Sequence, residues 1–298
     1  MITHKNMKLK YPLILACSLV AANALLAQSG YIASGETVRP LVPEQRTVAP
    51  LTAPYYHEDS FITSDLRAWY LSHQLDFVGG EVTVAALQVR VALTEQLQLV
   101  AYKDGYTNFS GGQLNGKDGW NDIALGLKYA FVQDWANEYH IAAGIGYEFD
   151  WGNSEALQNT DELRLWISEN KSFGKLHLGA TVNYLIAIDK NQGERGSSDM
   201  LTLHFHSDYY LNEWISPVFE INAYFVTDDN GTGVDPVSGL DAVSLGSGQD
   251  EDVWTAALGA ELRPFQNDVS VRAAYETDIS DSENLFKYRW TFSAVYPF

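Results

Sequence analysis

The sequence predicts an all-β protein: a closed antiparallel transmembrane β-barrel of about twelve strands, with short periplasmic turns and long external loops. Three observations predict it. Segments of about ten residues alternate apolar and polar side chains from residue 65 to residue 298, and a period of two belongs to a β-strand. The connections between these segments alternate in length, as they do in outer-membrane barrels. The polar faces also carry ionised side chains, which an apolar soluble core takes up only at a cost of several kcal/mol unless they are paired.

Taken from the start, Lys5, Lys8 and Lys10 precede an apolar run from Tyr11 to about Ala22, and no acidic residue occurs before Glu36. A basic flank, a short apolar stretch and small residues make residues 1–27 a secretory signal peptide, cleaved after Ala24 or Ala27. Met7 is an alternative start. The run is too short for a spanning helix. Cys17, the one cysteine, lies within it, and the apolar residues that continue past Cys17 argue against a lipoprotein signal. The mature chain then has no disulfide and no thiolate metal site. Of 19 basic residues 16 remain against 38 acidic ones, a net charge of −22 that excludes nucleic-acid binding through a basic surface.

Residues 28–64 form a different unit. Pro40, Pro43, Pro50 and Pro54 interrupt it and no alternation is sustained. An irregular segment with no core of its own is expected, either a plug in the lumen or a periplasmic extension.

From Asp65 the barrel pattern runs to Phe298. Strands are expected at 65–74, 81–93, 97–106, 120–132, 138–151, 162–171, 175–188, 200–211, 215–227, 252–263, 268–278 and 285–298. Short connections ("TEQ", "QDWANE", "SFG", "NE", "PFQN") follow the even strands. Longer ones rich in Gly, Asn and Asp, such as "NFSGGQLNGKDG" and "DKNQGERGSSD", generally follow the odd strands. In "GWNDIALGLKYAF", Ile123, Leu125, Leu127, Tyr129 and Phe131 share one side and Asp122 and Lys128 the other. The apolar side is expected to meet lipid, and the sheet must close because lipid leaves no strand edge unpaired. Trp120, Tyr129 and Phe131 then lie near the interfaces, Trp151, Trp254 and Tyr275 in the outer aromatic girdle, and Tyr139, Tyr296 and Phe298 in the inner one. The first and third strands alternate weakly, and Lys103, if it faces outward, must lie near a rim and snorkel, since a midplane lysine costs about 2–4 kcal/mol. Pro217 is expected near the start of its strand.

Gly119, Trp120, Asp122, Ile123, Leu125, Gly126, Lys128 and Tyr129, with "LQVRVAL" upstream and the terminal "AVYPF", resemble a bacterial outer-membrane transporter family of the meta-pathway phenol-degradation type. The resemblance covers the barrel and rests on a short motif. It implies an outer-membrane barrel and passage of small molecules. The terminal aromatic Phe298 resembles the signal read by the barrel-insertion machinery.

The polar face supplies the candidate site. Arg90, Lys128, Arg164, Lys175, Arg263, Arg272, Lys287 and Arg289 are expected inward, against Glu148, Asp150, Glu162, Asp208, Glu220, Glu261 and Glu276. Register places Glu276 near Lys287 and Glu261 diagonal to Arg272. These residues are read either as a salt-bridge network that stiffens a narrow barrel or as a charge-selective channel lining. In "LHFHSD", His204, His206 and Asp208 face inward with Glu220 within reach. The set resembles a Zn²⁺ or Fe²⁺ ligand group, but polar lumens commonly use histidine for hydrogen bonding, and no metal or cofactor is assigned. A barrel hydrolase would need a base beside an outward serine; Ser207 has only Leu178, Ala180, Val182, Phe219 and Ile221 around it, so no catalytic residues are assigned. "DDNGTGVD" resembles a calcium loop without its final glutamate, and acidic external loops could bridge divalent cations to lipid phosphates.

The functional expectation is an outer-membrane barrel for passive passage of small solutes in a Gram-negative bacterium, with outer-membrane lipid as its surroundings. A closed structural barrel and a barrel hydrolase are the alternatives.

Overall fold

The computed structural model describes residues 43–76, 78–188, 197–228, 240–245, 252–264, 269–280 and 286–298. The signal peptide and most of the "DDNGTGVD" loop lie outside these residues. Among the described residues, fourteen strand segments make one antiparallel sheet: β1 (Asp65–Leu75), β2 (Glu81–Ala92), β3 (Leu97–Lys103), β4 (Tyr106–Ser110), β5 (Gly119–Trp120), β6 (Ile123–Asp134), β7 (Tyr139–Phe149), β8 (Glu162–Phe173), β9 (Leu176–Ala187), β10 (Asp199–Tyr209), β11 (Ile215–Asp228), β12 (Val253–Leu262), β13 (Ser270–Asp278) and β14 (Phe286–Pro297). β1 pairs with both β2 and β14, so the sheet closes.

β3 and β4 both pair with β2 and form one interrupted strand; β5 and β6 form the next, so the barrel has twelve staves. The interruptions are hydrogen-bonded by carboxylates. Asp104 accepts from the Leu87 N–H, and Asp122 accepts from the N–H groups of Trp151 and Gly152. Pro217 is the third residue of β11, where a missing donor costs least.

The outer face is the apolar one. Trp120, Tyr129, Phe131, Trp151, Trp254 and Tyr296 are all exposed, and Phe298 is half-buried with its N–H on the Ser64 carbonyl. Three lysines depart from simple alternation or from the expected wall. Tyr102 is an extra residue between the paired Ala101 and Lys103, so Lys103 turns inward and is buried. Lys287 is skipped between the pairs Gln74–Tyr288 and Leu75–Phe286, so Phe286 points inward, buried, and Lys287 lies exposed outside. Both are effects of bulges, which shift every side chain beyond them to the other face. Lys175 sits in the β8–β9 turn, half-exposed, 3.5 Å from Glu44, rather than in the wall.

Inside, glycines make room for rings. A Cβ on Gly144 would stand 2.0 Å from the Trp166 ring, and one on Gly146 would stand 2.6 Å from Tyr102. The small residues of β7 therefore let two large side chains of β8 and β3 lie across the lumen.

Candidate functional site

Residues 43–64 run through the barrel. The chain makes a 3₁₀ turn at Pro43–Gln45 by the short-turn end, where Gln45 reaches Glu138 and the Glu44 carbonyl reaches His177. It climbs to a tight turn at Ala53–Tyr56, in which the N–H groups of Tyr56 and His57 both donate to the Ala53 carbonyl. Pro54 suits the second position of that turn because its φ is preset. The chain then descends through Glu58, Asp59 and Ser60 to β1. Residues 50–60 are all buried.

The wall holds this hairpin-like path by polar contacts. On the ascending side, Asp208 accepts from the Val48 N–H at 3.1 Å, and Glu220 accepts from Leu51 and Thr52 at 2.8 and 2.7 Å. At the turn, Arg164 donates to the carbonyls of Tyr55 and Tyr56 at 2.6 and 2.8 Å, its guanidinium lying against the rings of Tyr102 and Trp166. On the descending side, Glu58 pairs with Arg90, Lys128 meets Asp59 at 3.3 Å and Glu58 at 3.7 Å, and Asn170 accepts from the Ser60 N–H.

The long-loop end is closed by other segments. Tyr56 donates to Asp241, which also takes Lys103 at 3.2 Å; Lys103 in turn holds Glu148 at 2.6 Å. Arg289 donates to the Val243 carbonyl and pairs with Glu276. Leu157 and Leu240 form a bridge, and Tyr55, Tyr56, Leu157, Leu240, Val243 and Leu245 pack in one apolar cluster with the inward ends of β1, β2 and β14. Beside β1 and β2 the wall at this end is thus apolar inside as well as outside, which blurs the alternation of β1.

Burial disfavours charge on Glu58 and Asp59. The neighbouring cations outweigh it, chiefly Arg90 and then Lys128 for Glu58, and Lys128 and then Arg67 for Asp59, and hold both carboxyls below their ordinary values. Asp241 is likewise held low, burial being overcome by Lys103 and by donors from Ser244, Tyr56 and Val243. Burial pushes His57 well below an ordinary histidine, and His204, His206 and Arg164 push it further.

Arg90, Lys128, Arg164, His204, His206, Asp208, Glu220, Glu261, Arg272, Glu276 and Arg289 all have buried side chains on the inner face. Glu261 and Arg272 are direct cross-strand partners, 2.7 Å apart, rather than diagonal ones, and Glu276 pairs with Arg289 instead of Lys287. The histidines are engaged in hydrogen bonds: His206 with Glu220 and Asp208, His204 with Asn222 and Thr202. Ser207 is half-buried, opposite Leu178 and Phe219.

The partners within residues 43–64, along with Lys103, Arg67 and Asp241, escape sequence pattern. One signal did exist. Lys128 and Arg164 are wall cations with no acid opposite them in register, and "HED" at 57–59 lies in the irregular segment before β1.

No family model matches the chain, and no curated protein matches it. Among solved structures, the NanC porin aligns with 79% of this chain and 100% of its own length, at 11% identity and a TM-score of 0.52. The KdgM porin aligns with 78% of this chain and 99% of its own, at 10% identity and a TM-score of 0.49. The likeness to the NanC porin is one of fold: this chain shares its closed antiparallel β-barrel.

Proposed function

We propose that the protein passes small solutes passively across the outer membrane of a Gram-negative bacterium, and that residues 43–64 are a plug whose displacement opens the path. The observation that carries this reading is the chemistry of the plug's contacts. Asp208, Glu220, Arg164, Arg90 and Lys128 bind it through hydrogen bonds and ion pairs that water can replace. A wall of this kind stays wettable when the segment leaves, whereas an apolar seam would dewet. The inward charges then select among solutes. The resemblance to the meta-pathway phenol-degradation type adds small aromatic compounds to the range. On this reading a cleaved signal peptide delivers the chain, the insertion machinery reads the last strand through Phe298, and divalent cations bridge acidic loops to lipid. Passage, not hydrolysis, is the activity proposed.

A permanently closed structural barrel is the second reading, favoured by the apolar cluster around Tyr55 and Tyr56. Single-channel recording of the refolded mature protein in planar bilayers separates the two. Rare openings in the wild type that become frequent in Glu58→Gln support passage. Silence in Glu58→Gln, under conditions where protease reaches residues 43–64, overturns it.

A further inference from the structure

Three cations of the wall take their acceptors from the plug. Lys128 on β6 lies 3.3 Å from Asp59 and 3.7 Å from Glu58, and among the described residues these are its ion pairs. Arg90 on β2 turns Nε and Nη2 onto Glu58, at 3.3 and 2.5 Å. Its next carboxylate, Asp65, is 4.0 Å away and already holds Arg67 at 2.6 Å. Arg164 on β8 gives both Nη groups to the carbonyls of Tyr55 and Tyr56, and its Nε to the Asn183 side chain. All three cations are fully buried.

The opposite wall is built differently. Asp208 and Glu220 accept plug N–H groups, but both also bond to the His206 ring, and Asp208 bonds to His177. Those histidines belong to the wall and stay with it. Displacement of the plug therefore removes Glu58 and Asp59 from the basic wall, while the acidic wall keeps its partners. At this level the opened lumen attracts anions, in a chain of net charge −19, because a cleft with low-dielectric walls focuses the field of the charges that line it.

The departing groups specify the anion further. Glu58 and Asp59 are consecutive, and the one Lys128 ammonium meets both carboxylates. The Arg90 fork matches a planar carboxylate, which a spherical halide does not reproduce. We propose that a short dicarboxylate releases the plug, its two carboxylates taking the places of Glu58 and Asp59 on Arg90 and Lys128. The inference rests on the passage reading for plug displacement and names the class of solute to which the plug yields.

Limited proteolysis within residues 43–64 of the refolded mature protein tests it, with and without succinate at an ionic strength held constant with sodium chloride. Acetate, inorganic phosphate and putrescine are the comparison probes. A ligand that binds only the undocked form, present at about ten times its dissociation constant, raises that form's population about tenfold, and cleavage should rise with succinate by that factor. The comparison probes should leave the rate near that in chloride. Lys128→Gln should lose the response, read as the ratio of rates with and without succinate. Asp59→Asn keeps the wall intact and weakens docking, so its response should reach half-maximum at a lower succinate concentration. Heat-modifiable gel migration confirms that each variant is folded. No succinate response in the wild type, an equal response to any comparison probe, an undiminished response in folded Lys128→Gln or an unshifted midpoint in Asp59→Asn would overturn the proposal. The assay needs no conduction. A barrel that conducts in planar bilayers without a succinate response overturns this inference and keeps the passage reading; a silent barrel with the succinate response does the reverse.

Discussion

Glu58, on the interior segment, forms a 2.5 Å ion pair with Arg90 on β2, and both side chains are almost completely shielded from solvent. The pair joins residues 32 positions apart in sequence and ties the descending arm of the plug to the wall.

Breaking a buried pair from one side leaves a charge without compensation and costs about 3–5 kcal/mol, whereas replacing both partners by apolar residues is often neutral. Glu58→Gln and Arg90→Met should each weaken plug docking on that scale, and Glu58→Met with Arg90→Met should recover most of the loss. Limited proteolysis within residues 43–64 reads the docking. Additive losses in the double variant would show that the pair is not coupled.

Acid should loosen the plug in two stages. His57 faces His204 and His206 on β10 and Arg164 on β8, and its pKa is depressed when docked. Below an ordinary value of about 6.5 the released segment gains a proton that the docked one refuses, so docking weakens as pH falls from there. Glu58 and Asp59 are also held low; their contribution is complete above ordinary carboxylate values and is lost as pH falls through the depressed ones. His57→Gln should remove the first stage and keep the second. Protease accessibility measured against pH would show it, and an unchanged profile would contradict it.

Gly144 lies under the Trp166 ring, so Gly144→Ala forces the ring or the strand to move. Overpacking of this kind typically costs about 1–3 kcal/mol. A lower urea midpoint for barrel unfolding is expected, and an unchanged midpoint would mean that the ring moves without penalty.

Arg164 uses a fork of donors on two plug carbonyls while resting against two aromatic faces. Lysine offers neither the fork nor the planar stack. Arg164→Lys should therefore weaken docking by about 1.5–3 kcal/mol, the range for hydrogen bonds to charged groups. The folded barrel should persist, as judged by heat-modifiable migration; increased cleavage near Tyr55 is the expected readout.

The barrel is legible in the sequence because strand period, connection length and an ionised second face are local properties that each segment carries alone. The outward aromatics and most of the inward charges are legible for the same reason. Only the tertiary structure decided where Lys103 and Lys287 point, since each bulge is set by pairing with a neighbouring strand and falls at a strand end, where too few residues follow for the shifted phase to show. It also decided what fills the lumen. Glu58, Asp59 and Asp241 meet Arg90, Lys128 and Lys103 across 32 to 138 positions of chain, and buried charges require such partners without specifying from which segment they come.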